Sequence, residues 1–253
     1  MRMVETRNED EGDDFRFWIP DNSYYYVSDM ARGNASVNRQ RIKSGTYQEL
    51  YTTMHGIRVW EHMERLLSGR TDMSKIIEDL NRALTKKKLD DIYSAFINIP
   101  LDNNVYRPAA GTYNETTLLN VISHLEAQTE QKVTIMGTKA ALRNLKVAIS
   151  EKMPNEAMSD LYKMGYYGNF YGTECEALNQ VHKTNTSEFL LDDKAVYLFA
   201  GDTKPIKHVT KGSPLIIPKT YIEQADLTEE YFLGVNYGIG VIISDEFGIY
   251  RWA

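Results

Sequence analysis

Apolar positions along the chain fall into stretches of different period, and each period predicts an element. Near the amino end FRFWIP, Phe15 to Pro20, alternates like a strand and stops at a proline; after a short DNS turn comes a second strand-like run, Tyr24 to Met30. The two runs predict an aromatic-rich hairpin with no helix nearby to cover it, so it must bury itself on its own domain or on a neighbouring subunit. From Thr46 to Leu67 the residues Tyr47, Leu50, Tyr51, Met54, Ile57, Trp60, Met63 and Leu67 recur at spacings of three and four, which predicts one amphipathic helix ending near Gly69. A second helical pattern runs through Met73, Ile76, Ile77, Leu80, Ala83 and Leu84, then Ile92, Tyr93, Phe96 and Ile97. The run Lys86-Lys87-Lys88 marks a break, read as an exposed helix end, and Pro100 closes the pattern.

The second half is mixed. Asn114 to Gln128 reads as a helix with Leu118, Leu119, Ile122 and Leu125 inward, KVTIMG as a short buried strand, and Thr138 as the cap of a helix through Ser150 carrying Ala141, Leu142, Leu145 and Ile149. Helix, strand, helix implies a covered sheet. The stretch KMGYYGNFYGT then crowds aromatic and glycine residues into a corner before ECEALNQV, a strand pattern, and AVYLFAG, another. The tail alternates shorter strands and turns: KPIKHVTKG, SPLIIP, GVIIS and FGIYRW, punctuated by Gly234, Gly238, Gly240 and Gly248. No internal repeat is evident.

Composition narrows the class. The 253 residues are 42% hydrophobic and 25% charged, ample for a globular core, and no apolar run approaches the roughly 20 residues of a membrane helix. The single cysteine, Cys175, excludes an internal disulfide framework. A formal charge of −6 argues against gripping a polyanion, which basic side chains drive by displacing counterions. Arg32, Arg39, Arg41 and Lys43 form a local acid-free basic segment without interleaved aromatics, read as a solvated or subunit-facing loop.

Catalytic motifs fail one by one. KMGYYGNFYGTE lacks the lysine of a phosphate loop, and GIGVIIS offers GxGxxS, followed by a strand where a helix is wanted. In RVWEHMER the position that an inverted zinc motif needs as histidine is Arg58. On a helix, His55 and His62 would stand about 10 Å apart along the axis, too far for one ion. His124, His182 and His208 have no local partner, and Cys175 sits in a strand pattern where a buried, inert thiol is expected. Asp13-Asp14, Asp192-Asp193 and Glu229-Glu230 lie in polar connectors. The expectation is therefore no catalytic, cofactor-binding or metal residue.

The order of parts resembles the major capsid proteins of tailed phages, the Hong Kong 97-type capsid fold. RIKSGTYQELYTTMHGIRVWEHMERLL is similar to that family's spine helix and its entry, KVTIMGTKAALRNL to its axial-domain strand and helix, YYGNFYGTECEALNQV to its glycine turn into a strand, and FLLDDKAVYLFAGDTKPIK to the strand and turn after it. GVNYGIGVIISDEFGIYRW is similar to its closing strands.

The resemblance implies an α+β fold with an extended hairpin arm, a long spine helix in a peripheral domain and an α/β axial domain. It divides the chain into an arm and extended hairpin loop at 1–46, a peripheral domain with the spine helix at 47–110, an axial domain at 111–220, and strands returning to the peripheral domain at 221–253. It further implies a shell subunit of a double-stranded DNA phage head, assembled in the host cytoplasm from pentamers and hexamers of itself. Scaffolding, portal and decoration proteins are candidate partners, and neither a membrane nor sequence-specific nucleic acid binding is expected. Subunit contacts are expected from Phe15, Phe17, Trp18, Tyr24, Tyr25, Tyr26, Arg32, Arg39, Arg41 and Lys43 of the arm and from Tyr166, Tyr167, Phe170 and Tyr171 of the glycine corner. The leader is short beside the long scaffolding segment of some relatives, and the family's crosslinking residues find no match here. Two other readings stay open at this level, an encapsulin-like nanocompartment shell and a small soluble α/β enzyme.

Overall fold

The computed structural model describes residues 3–10, 15–19, 21, 23–28, 39–70, 72–145, 163–219, 228–242, 244 and 246–253. Their elements are β1 (Val4–Glu9), β2 (Arg16–Ile19), β3 (Thr46–Glu49), β4 (Thr53–His62), α1 (Met63–Leu67), α2 (Met73–Ile97) and α3 (Glu115–Thr129). There follow β5 (Val133–Thr138), α4 (Lys139–Arg143), β6 (Asn169–Phe170), β7 (Thr173–Leu178), β8 (Ala195–Ala200), β9 (Ile206–Lys219), β10 (Thr228–Val241) and β11 (Phe247–Arg251). They build a four-stranded sheet in the order β1-β9-β10-β4, a five-stranded sheet in the order β11-β8-β5-β7-β6, and a ribbon of β2 and β3.

The helix α2 serves both sheets. Asp72 caps it, its side chain accepting the Ser74 amide at 2.9 Å. From there the helix runs unbroken for 25 residues, about 37 Å at 1.5 Å per residue. Ile76, Leu80 and Leu84 in its first half pack on Leu233, Val235 and Tyr237 of β10 and on Ile57 and Val59 of β4. Ile92 and Phe96 in its second half pack on Met136, Tyr197, Phe199, Phe247 and Ile249 of the other sheet.

The lysine run interrupts nothing. Lys86 and Lys87 pair one turn ahead with Asp90 and Asp91, each at 2.5 Å, while Lys88 lies over the Tyr237 ring. What reads in sequence as a helix end is the polar middle of one helix.

The five-stranded sheet is covered on both faces, which is why AVYLFA is apolar without alternation. Val196, Leu198 and Ala200 face the core under α3 and α4, and Ala195, Tyr197 and Phe199 face α2. Asn114 caps α3 through the amides of Thr116 and Thr117, and Thr138 caps α4 through Ala141, so both helices start where the sequence predicts. Of the second helix, described residues extend only to Leu145, which is buried; Ile149 lies outside them. Gly248 on β11 lets α3 approach, since a Cβ there would stand 3.0 Å from Leu125 and 3.1 Å from Val121. Arg107, buried between this sheet and the preceding loop, forks onto Asp102 at 2.9 and 2.7 Å, and that guanidinium holds the Asp102 carboxyl below its ordinary range.

Three expectations are corrected. The helix expected over Thr46 to Leu67 is β3, β4 and the short α1. His55, Ile57, Val59 and Glu61 are half-buried while Met54, Gly56, Arg58, Trp60 and His62 are exposed, so the operative period is two. Ile57 and Trp60, three apart, therefore point to opposite faces, and burial of Ile57 and Val59 under α2 decides the outcome. The long helix of the structure is α2 instead. Second, β2 pairs with β3, Ile19 opposite Thr46, and the described part of the expected partner run, Tyr24 to Ser28, forms no strand. Third, KPIKHVTKG and SPLIIP are one strand, β9, carried through a bulge near Gly212 (φ 68°) where its register against β10 shifts.

β9, before residue 220, belongs to the four-stranded sheet, and of the strands after it β10 joins that sheet while β11 pairs with β8 in the other.

Because α2 is common to both cores, truncating a buried residue in its second half should be costly. Phe96→Ala is expected to destabilise the subunit by about 3–5 kcal/mol, and Ile77→Ala, at an exposed position, by about 1 kcal/mol or less, measured from urea unfolding curves.

Candidate functional site

The feature that the fold leaves unexplained is apolar and exposed. It begins at β2, where alternation divides the side chains between two jobs. Phe15 and Phe17 turn inward onto Val209, with Leu50 and Ile242 beside them, and the Arg7 guanidinium lies 4.5 Å over the Phe17 ring. Trp18, next after Phe17 in the pleat, turns outward and is 49% exposed, with Tyr47 of β3 packed edge-on at 4.8 Å. The ribbon is tied across by Arg16 to Glu49 at 3.0 Å and by the Leu50 amide to the Phe15 carbonyl.

Beyond the ribbon two extended segments, 23–28 and 39–45, lie side by side. The Gln40 side chain clamps the Tyr26 backbone, accepting its amide at 2.9 Å and donating to its carbonyl at 2.6 Å. The Lys43 amide donates to the Tyr25 hydroxyl at 3.0 Å, and the Lys43 ammonium sits 4.6 Å over the same ring. These contacts leave much apolar area in water: Tyr26 is 86% exposed and Val27 94%, and Tyr24, Tyr25, Ile42, Tyr47 and Tyr51 are exposed too. Arg39 and Arg41 are exposed on the returning segment, and Arg32 lies outside the described residues. Each aromatic ring carries about 150–250 Å². At ~25 cal/mol per Å², covering even two of them would contribute a few kcal/mol.

The glycine corner divides differently. Tyr171 and Gly172, with φ of 49° and 85°, form the two-residue turn between β6 and β7, the arrangement a type I′ hairpin needs. Phe170 is fully buried in this chain's own core and Tyr166 packs against that core, so Phe170 is corrected from a contact residue to a core residue. Tyr167 is half-buried; Tyr171 is partly exposed, its hydroxyl donating to the Glu115 carboxylate. Phe15 and Phe17 are likewise buried within the chain, as anchors of the arm.

A second exposed apolar area escaped the sequence reading. On the face of the four-stranded sheet away from α2, Met54 and Trp60 of β4 and Leu215 and Ile217 of β9 are exposed, and the Phe232 ring lies across Gly56 and Gly234. The Arg58 guanidinium pairs there with Glu230, whose side chain is buried. The signal was the period-two alternation from Met54 to Trp60, hidden under apolar residues that also fit a helical spacing.

Among the described residues no group of three His, Cys, Asp or Glu could hold a metal ion. His55 points toward α2 from β4, stacked 4.0 Å from Tyr237, whereas His62 is exposed beside Trp60. Cys175 is buried in β7, and burial pushes its thiol up to about 12.

The sequence matches, over residues 2–251, the family described as "SPbeta prophage-derived putative capsid protein YonB". No curated protein matches the chain in sequence. Among solved structures, the capsid of the cyanophage P-SCSP1u superposes with a TM-score of 0.63 at 11% identity, covering 99% of this chain and 86% of that one. A structure of Mycobacterium phage Che8 gives 0.58 at 14% identity, covering 94% and 84%. A virus-like particle from Pyrococcus furiosus gives 0.51 at 12% identity, covering 99% and 90%. The mixed helix-and-sheet fold is thus that of phage capsid structures.

Two measurements on the free subunit check the division of the arm. Phe17→Ala is expected to cost about 3 kcal/mol or more in urea unfolding, and Tyr26→Ala less than about 0.5 kcal/mol. Cys175 is expected to remain unmodified by a thiol reagent at pH 8 until denaturant unfolds the chain.

Proposed function

From the premise that this chain belongs to the YonB capsid protein family, and is thus a phage shell subunit, we propose that its exposed aromatic arm is the element that joins one subunit to the next. Neither a nanocompartment shell nor a small enzyme draws support from the family match. The observation that carries the reading is the alternation at β2. Phe15 and Phe17 fasten the ribbon to its own subunit, while Trp18, Tyr24, Tyr25, Tyr26, Ile42 and Tyr47 are presented outward on a backbone held in place by Gln40 and Lys43. Apolar area that a monomer leaves in water is the usual mark of an association surface.

In this reading α2 is the spine helix. The four-stranded sheet with the first half of α2 is the peripheral domain, and the five-stranded sheet with α3 and α4 is the axial domain. Pentamers and hexamers form around the axial domains, and each arm lies across a neighbour. Tyr167 and Tyr171 add a smaller contact at the corner, and the exposed Arg39 and Arg41 give the arm a basic edge that suits a chain of net charge −6, Lys43 serving to hold Tyr25. Many such contacts in a closed symmetric array hold a shell firmly while each alone stays reversible. The role is structural, and the negative charge suits a container whose lining must not hold DNA tightly. Scaffolding, portal and decoration proteins are the further partners that a phage head of this kind calls for.

The arm can be removed without touching its anchors. Ile19 and Thr46 are register partners, so an Asn-Gly turn in place of residues 20–45 should close the ribbon while keeping Phe15 and Phe17. The variant is expected to fold with a urea midpoint close to that of the native chain and to sediment as small species under conditions where the native chain forms particles. Uniform particles from the variant would refute the arm's role.

A further inference from the structure

Where β9 passes under α2, the four-stranded sheet buries an imidazole, His208. His208 is 7% exposed, and its Nε2 has no hydrogen-bond partner among the described residues. Its ring lies 5.8 Å from that of Tyr237 on β10, which in turn stacks at 4.0 Å on His55 of β4, so three rings from three adjacent strands form a row beneath the helix.

The charged groups around this row are few. From α2, the Lys88 ammonium reaches to 5.5 Å from the Tyr237 ring, and Asp91 accepts the Tyr237 hydroxyl at 2.7 Å while paired with Lys87 at 2.5 Å. From β1, the register partner of His208 is the uncharged Thr6; Glu5 and Arg7 alternate to the opposite face, where Glu5 pairs with Lys207 of β9. From β4, His55 stands behind Tyr237 and shares a hydrogen bond with Thr53 at 2.9 Å. Among these described residues, the carboxylate beside the row, Asp91, is already held by Tyr237 and Lys87, and the charge acting on His208 is the Lys88 cation.

We propose that His208 is a proton-operated joint between α2 and the four-stranded sheet, closed while the imidazole is neutral and loosened when it is protonated. A buried imidazolium would have no counter-ion and would face Lys88, so the closed arrangement disfavours the proton; a loosened one lets water solvate it. Burial and then the Lys88 charge act in this direction, holding His208 below its ordinary value. The sign follows from linkage. The loosened state binds the proton more readily, so the closed state keeps its full stability above about pH 6.5, the ordinary histidine value, and loses it as pH falls below that. For one proton the opening equilibrium rises by at most about tenfold per pH unit. The five-stranded sheet has no counterpart of this row, so acid should act on one of α2's two footings and spare the other.

The test uses the free subunit, so its outcome is separate from whether the arm drives assembly. Amide hydrogen exchange is measured at pH 7.5 and 5.0 and corrected for the intrinsic rate. In the native chain, amides of β9, β10 and the first half of α2 should lose severalfold more protection on acidification than those of β5 and β8. His208→Gln should abolish that excess, Lys88→Met should shrink it, and His55→Gln should leave it. Equal losses in the two sheets, or an excess that survives His208→Gln, would overturn the proposal. If His208→Gln does not fold, nuclear magnetic resonance titration of the native His208 ring decides: a midpoint at or above 6.5 overturns it, and a lower one together with the Lys88→Met effect upholds it.

Discussion

One apolar stripe, on α2, is shared between two sheets, and the rest of the subunit depends on that sharing. Burial of apolar area is what holds such a fold, at ~25 cal/mol per Å², and neither sheet can keep its α2-facing side dry without this helix. Ile239 shows how close the two cores come, since it packs against both. The two sheets are thus set relative to each other by the length and straightness of one helix. The polar middle of α2 falls where they meet. There Lys86 also donates to the His182 carbonyl and Asp90 accepts from Thr184, latching the 182–189 turn onto the helix. Polar contacts at the seam and apolar ones at each end give the helix two distinct footings.

The arm depends on a different constraint, the two-residue period of a strand. At β2 the same four residues anchor inward and present outward, because neighbours in a pleat face opposite ways. The anchor is firm: Phe17 sits under the Arg7 guanidinium against a fully buried Val209. The presented face carries little of the monomer's own stability. A segment built this way can be pulled on by a neighbour without drawing on the subunit's core, which is what a shell made of many copies requires. The Gln40 clamp and the Tyr25–Lys43 contact order part of the arm's backbone within the subunit.

Much of this was legible in the chain. The caps at Asn114 and Thr138, the unalternating AVYLFA, the glycine corner and the outward tyrosines of the arm follow from local rules about orphan amides, two-sided burial, positive φ and exposed aromatic area. Cys175 reads as buried and inert, and it is buried in β7, which raises its thiol pKa. The family resemblance rested on the order of these parts, and order survives errors in any single one.

What tertiary structure decided is where two readings competed for the same residues. Between Thr46 and Leu67, apolar residues satisfied a period of 3.6 and a period of two at once, and only the position of α2 above Ile57 and Val59 selected the strand. The lysine run looked like an end because the ring that receives Lys88, Tyr237, lies far away in sequence, although Asp90 and Asp91 stand one turn ahead of Lys86 and Lys87. Phe170 and Tyr171, adjacent and both aromatic, part company at a turn that sends one into the core and the other to the surface. Local propensity and spacing determine which elements a chain can form; burial against segments far away in sequence determines which of them it does form, because the apolar area that settles the choice exists only once those segments have met.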